Sequence, residues 1–170
     1  RVRLVTGTAS HVPESAEARI AARLRSQTRK DVQAFHHARV NVSGVTLDLA
    51  HHGPMGGSRD WLAGNVALYY LRDRVYRDRR LGARPADVYL RGHFHEWVHV
   101  TLNDCWRSEH RTHHLIVVPS FSGPTGFARK VTKSTPSLTT GMAAFEVVGG
   151  QLGQVQPIMQ TWDLRVEEAL

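Results

Sequence analysis

A single cysteine, Cys105, stands in 170 residues, so the chain forms no disulfide within itself. That thiol usage fits a reducing cytoplasm, the expected location, and Cys105 reads as a small, partly buried hydrophobe. No apolar run approaches the roughly eighteen residues that a membrane span requires, so no membrane partner is expected. An initiator methionine, a secretory leader, internal repeats and low-complexity linkers are also missing. Arg1-Val2-Arg3-Leu4-Val5 reads as a strand entered midway, and the expectation is a fragment or a processed domain.

What is present is ordinary for a globular protein. Apolar residues make up 41% and charged residues 22%, far from a disordered composition. The length suits one domain able to bury a core. Lys and Arg number 22 against 15 Asp and Glu, a formal charge of +7. Such a balance favours anionic partners at long range without separating nucleic acid from a small phosphate ester.

The hydrophobic pattern predicts a strand at Val2–Val5 and a helix in the alanine-rich stretch from Pro13 to Leu24, with Ala16, Ile20 and Leu24 on one face. Residues 33–42 read as extended, with Phe35 and Val40 inward. Ser43-Gly44 marks a turn before a strand at Val45–Leu49. The longest helical pattern runs from Trp61 to Arg80, with Leu68, Leu71, Val75 and Tyr76 on one face, and ends at Gly82 and Pro85. Strands are predicted at Ala86–Leu90, Trp97–Leu102 and Leu115–Val118. A long loop over residues 120–140 follows, and strands at 142–148 and 155–164 form a hairpin turned at Gly149-Gly150. Helices early and strands late indicate layered α/β or α+β packing around a sheet.

Eleven histidines are present, and their positions matter more than their number. Leu49-Ala50-His51-His52-Gly53 delivers two imidazoles from a strand into a glycine-bearing loop. Val88-Tyr89-Leu90-Arg91-Gly92-His93-Phe94-His95 repeats the arrangement, with Gly92 permitting the sharp bend. A lone His-x-His is often incidental. Its recurrence after two strand-like segments points to metal, because neutral imidazole binds zinc, iron, manganese or nickel and strand ends hold it rigidly. Two such ions about 3.5–4 Å apart clamp both the attacking and the leaving oxygen of a phosphoryl group.

At these residues the sequence resembles the calcineurin-like metallophosphoesterases. Arg91-Gly92-His93-Phe94-His95 is similar to their late Gly-His-x-His motif, and His52-Gly53 to the His-Gly that precedes it. The resemblance implies two facing sheets flanked by helices, that is, a layered α/β fold with a β-sandwich core. It also implies hydrolysis of phosphomonoesters or phosphodiesters with two ions of manganese, iron or zinc. By motif, His52 and His93 hold one ion and His95 its neighbour. The family's Asp-x-His and Gly-Asp motifs have no counterpart, and with them go the bridging carboxylate and two further ligands. Residues 5–11 read as a variant of the Gly-Asn-His-Asp/Glu motif, with Thr8 in place of Asn and His11 as the candidate catalytic histidine. Residues 1–170 therefore read as a partial metallophosphoesterase domain, truncated at its N-terminal side. Without a bridging carboxylate two close dications are poorly neutralised, so weak or single-metal binding and little hydrolysis are expected.

The remaining candidates have bland readings beside the functional ones. His51 either orients a neighbouring ligand or faces solvent. Asp48 is read as paired at the strand edge or, as the alternative, as a metal ligand. His99, His110, His113 and His114 are surface or structural, and Arg59 is either solvated or a phosphate contact at a helix start. Gly123, Gly126, Arg129 and Lys130 lie in the long loop without a phosphate-loop motif. The arginines from Arg72 to Arg80 read as a solvated face, with Asp73 and Asp78 as partial counter-charges. A non-enzymatic nucleic-acid-binding domain is the main rival function, although no aromatic stacking pattern or reading helix supports it. A single-metal β-barrel enzyme built on His93-x-His95 ranks last, because Glu96 is too close and Glu109 too far to complete its ligand set.

Overall fold

The computed structural model describes residues 1–7, 16–54, 62–93, 96–106, 108–121 and 137–165. Its centre is a five-stranded mixed sheet. The strands are β3 (His37–Val42), β4 (Val45–His52), β5 (Val88–Gly92), β6 (Val98–Trp106) and β7 (Glu109–Val117), in the order β3-β4-β5-β7-β6. β4, β5 and β7 run parallel, whereas β3 and β6 pair antiparallel at the two edges. Ser43 and Gly44 have φ of 48° and 95°, the left-handed pair that a two-residue hairpin turn demands. They close the β3–β4 hairpin where the sequence marks a turn.

Each face of this sheet is buried by a different partner. Helix α2 (Ala63–Arg80) covers one face, where Ala67, Leu71 and Val75 meet Tyr89, Leu115 and Val117. On the opposite face Val45, Val88 and Ile116 pack with Trp97, Ala143, Phe145, Val147, Leu152 and Val155. Adjacent residues such as Val88 and Tyr89 thus point to opposite faces, as strand geometry requires. α2 ends with a left-handed Gly82 at φ 71°, and the N–H of Ala83 donates back to the Asp78 carbonyl.

Smaller ribbons surround this core. β1 (Val2–Val5) lies parallel to β2 (Val32–Phe35), and α1 (Ala16–Thr28) connects them. β8 (Ser137–Ala144) pairs with β11 (Gln156–Asp163), and between them β9 (Val147–Val148) and β10 (Gln151–Leu152) turn at Gly149-Gly150. The architecture is mixed α/β, a multi-strand sheet with flanking helices. Opposite the main sheet stand separate two-stranded ribbons, where the family resemblance implies a second broad sheet.

Several local expectations shift. The extended stretch 33–42 breaks at His36 into two strands in different sheets. Phe35 is only half-buried, and Ala38 rather than Val40 is the buried position of β3. The predicted face of α1 is displaced: Ala21 is buried and Ile20 is half exposed. Residues 137–140, assigned to a loop, begin β8, and residues 145–146 interrupt the strand expected at 142–148. Cys105 is exposed rather than partly buried, because its strand lies at the sheet edge. Tyr76 lies on the open side of α2, not its core side.

Candidate metal centre

β4 and β5 are neighbours and parallel, so both end at the same edge of the sheet. Their register runs Leu47↔Val88, Asp48↔Tyr89 and Leu49↔Leu90, then shifts to His52↔Gly92. β4 therefore carries one extra residue just before its end. Regular alternation sends adjacent side chains to opposite faces, and a bulge re-aims them. Here the rings of His51 and His52 come to 5.0 Å, edge to face.

From β5 comes His93, whose φ is 79°. That backbone costs a non-glycine residue on the order of 1–2 kcal/mol. The bend expected at Gly92 falls on His93 instead, and a Cβ on Gly92 meets only ordinary contact at 3.7 Å. The glycine that the site does require is Gly53, where a Cβ would lie 2.9 Å from Cβ of Arg91. His93 packs against both β4 histidines, with ring centroids 4.9 Å from His51 and 4.4 Å from His52.

The three side chains present one nitrogen each within 4.8 Å of one another. His51 Nε2 and His93 Nδ1 are 2.9 Å apart and share a proton. This donor set suits a single metal ion, which would take the place of that proton. Zinc–nitrogen bonds of about 2.0–2.1 Å put two ligand nitrogens at most about 4.2 Å apart, so the triad must contract slightly to close on such an ion. His52 is exposed and the other two are partly buried, which leaves an open approach from solvent.

Beneath the cluster lies a buried ion pair. Arg91, 2% exposed, donates from Nη1 to the Asp48 carbonyl at 2.7 Å and from Nη2 to Asp48 Oδ1 at 2.6 Å. Its Nε donates to the Tyr70 hydroxyl at 2.9 Å. His37 Nε2 lies 2.9 Å from the same Asp48 Oδ1. The carboxylate is thus committed to the strand-to-strand clamp and stands outside the histidine cluster. Arg91 joins β4 to β5 a few residues before the histidines, and Tyr70 ties it to α2.

Of the expected ligands, His52 and His93 come together, and His51 joins them as a potential ligand rather than as an orienting or solvent-facing residue. Adjacent His51-His52 gave a signal, but regular strand alternation argued against both reaching one point. His95 and His11 lie outside the described residues, as do Arg59, Gly123, Gly126, Arg129 and Lys130. His37 and the buried Arg91 were not anticipated; Arg91 falls in an otherwise apolar strand, which was the available signal.

The other histidines divide. His110 is exposed, whereas His113 is buried and donates from Nδ1 to the Ala86 carbonyl at 2.7 Å. His99 Nε2 and His114 Nδ1 share a hydrogen bond of 3.1 Å between stacked rings. Burial holds the pKa of His99, His113 and His114 below that of a free imidazole, and the neighbouring His99 and His113 lower His114 further.

No family model matches the chain, and no curated protein matches it in sequence. Among solved structures, Thermotoga maritima protein TM1076 aligns with a TM-score of 0.38 at 15% identity, over 82% of this chain and 73% of its own. A single mutant of Vps29 from Entamoeba histolytica aligns with a TM-score of 0.35 at 12% identity, over 86% and 78%. Likenesses this distant carry no argument about activity.

Proposed function

We propose that the chain is the histidine-bearing part of a metal-dependent hydrolase of phosphomonoesters or phosphodiesters. The observation that supports it best is the convergence of His51, His52 and His93 at the shared C-terminal edge of two parallel strands. Ligand sites of open α/β sheets favour that edge. A bound manganese, iron or zinc ion supplies a polarised phosphoryl oxygen and a water acidic enough to attack at neutral pH.

In this reading the residues divide the work. His52, exposed, and His93, strained into position, are the primary ligands, and His51 completes the set once it gives up its hydrogen bond to His93. Arg91 and Asp48 fix the separation of the two strand ends. His95 belongs to a second ion and His11 acts as acid or transition-state contact in the complete centre. The family's Asp-x-His and Gly-Asp motifs have no counterpart in the sequence, and residues 1–170 are proposed as a partial domain that holds one ion and hydrolyses slowly. No described helix is long and apolar enough to cross a membrane, and the exposed thiol of Cys105 suits the proposed cytoplasmic setting.

Titration with cobalt(II), followed by its visible absorption, tests the site. One equivalent is expected to bind, with His52→Ala or His93→Ala weakening affinity at least about 100-fold, roughly 2.8 kcal/mol at 1.4 per decade. Hydrolysis of a chromogenic phosphodiester with manganese present should be slow and fall with the same substitutions. Absence of binding would end the metal reading, and two tightly held ions would end the partial-centre reading.

A further inference from the structure

We propose that the solvent face of α2 binds single-stranded nucleic acid, independently of the metal centre. Tyr69 and Tyr76 are 69% and 59% exposed. They lie seven residues apart, so about 10.5 Å along the helix and on nearly the same side. Arg72, Arg77 and Arg80 are exposed around them on the surface opposite the core residues Leu71 and Val75.

The sequence offers Asp73 and Asp78 as counter-charges for these arginines, but the structure spends both elsewhere. Asp73 pairs with Arg74 at 2.5 Å. Asp78 turns inward, accepting the Tyr89 hydroxyl at 2.8 Å and facing Arg39 Nη1 at 3.4 Å. Arg79 pairs with Asp104 and lies over the Tyr76 ring at 6.0 Å. Among the described residues no carboxylate pairs with Arg72, Arg77 or Arg80. Three exposed guanidinium groups with no carboxylate partner among the described residues therefore flank two exposed phenol rings.

That combination has a specific complement. Guanidinium groups bind phosphate oxygens in fork geometry, and exposed aromatic planes accept unstacked bases. A duplex hides its base faces and an acidic protein or lipid surface has none. An unpaired strand meets the charges with its phosphates and the rings with its base faces, and the net charge of +7 draws such a polyanion towards the protein.

Fluorescence anisotropy with a labelled homopyrimidine oligonucleotide of about ten nucleotides tests this. EDTA keeps metal out of the measurement, so its outcome is separate from that of the metal site. Binding should weaken with salt, and the combined Arg72→Gln, Arg77→Gln and Arg80→Gln protein should bind at least tenfold more weakly. At about 0.7 per phosphate contact, its log–log salt slope should flatten by about 2. Tyr69→Ala with Tyr76→Ala should lose at least about fivefold with the slope retained. Arg19→Gln, Arg23→Gln and Arg25→Gln on α1 remove the same charge and should change affinity less than twofold. The proposal is overturned if the two arginine triples behave alike, if duplex binds as well as single strand, if the tyrosine changes are silent, or if only anionic vesicles bind.

Discussion

His51, His52 and His93 crowd together where β4 and β5 end, whereas His99, His113 and His114 lie within the paired lengths of β6 and β7. Both groups belong to one sheet, and both contain an imidazole hydrogen-bonded to another imidazole. Their surroundings set them apart. The first group reaches solvent through His52, and one nitrogen of each ring lies within 4.8 Å of the other two. In the second group burial is greater, the Ala86 carbonyl claims one nitrogen, and desolvation penalises the charged form. Clustered histidine is therefore no sign of a ligand set. Position in the strand decides, because the strand ends bring three ring nitrogens to one point that solvent reaches, whereas the strand interior buries its imidazoles against backbone and one another.

The largest effect that sharpens this contrast comes from the clamp under the first group. Arg91→Met leaves Asp48 buried without its cation, and such a loss costs about 3–5 kcal/mol. Urea unfolding should show it, and cobalt affinity should fall with it because the two strand ends lose their tie. Stability within 1 kcal/mol of wild type (less than the net value of a typical hydrogen bond to a charge, about 1.5–3) would remove the clamp from the account.

A smaller effect belongs to the buried group. His113→Leu strips the Ala86 carbonyl of its donor, at about 1–3 kcal/mol, and should leave cobalt affinity unchanged. Because burial depresses the folded pKa of His113, its contribution to stability is fully present above the unfolded value of about 6.5 and is lost as pH falls through it. Wild type should thus weaken between about pH 7.5 and about pH 5.5, and His113→Leu should weaken less over that interval. An identical pH profile in the two proteins would mean that His113 takes up its proton without cost.

The smallest effect returns to the first group. His93→Gly relieves the left-handed backbone and should raise stability by about 1 kcal/mol while abolishing metal binding. A site residue whose removal stabilises the fold marks strain kept for function. If instead stability drops, His93 is there for packing.

Much of this is legible in the sequence. The strands that precede both histidine segments, the Ser43-Gly44 turn, the Gly82 helix stop and the pairing of two histidine-bearing segments follow from periodicity and local backbone preference, whereas β4 runs on from Leu49 through His51 and His52, which the sequence assigns to a loop. Tyr76 and Ile20 were misplaced because a helical repeat fixes spacing but not the rotation of the helix on its sheet. Asp48 reads as paired at a strand edge, but its depth and its partner Arg91, 43 residues away, are not legible in a local pattern.

Residue order alone determined which side chains sit at the ends of apolar strands, how the chain turns between them, and a charge balance of +7, since these depend on neighbours a few positions apart. Only the folded chain decided that β4 and β5 lie side by side with a one-residue slip, so that His51 joins the cluster, and that Asp73 pairs with Arg74 while Asp78 faces Tyr89 and Arg39. Those outcomes depend on contacts between distant segments, whose energies a local pattern does not contain.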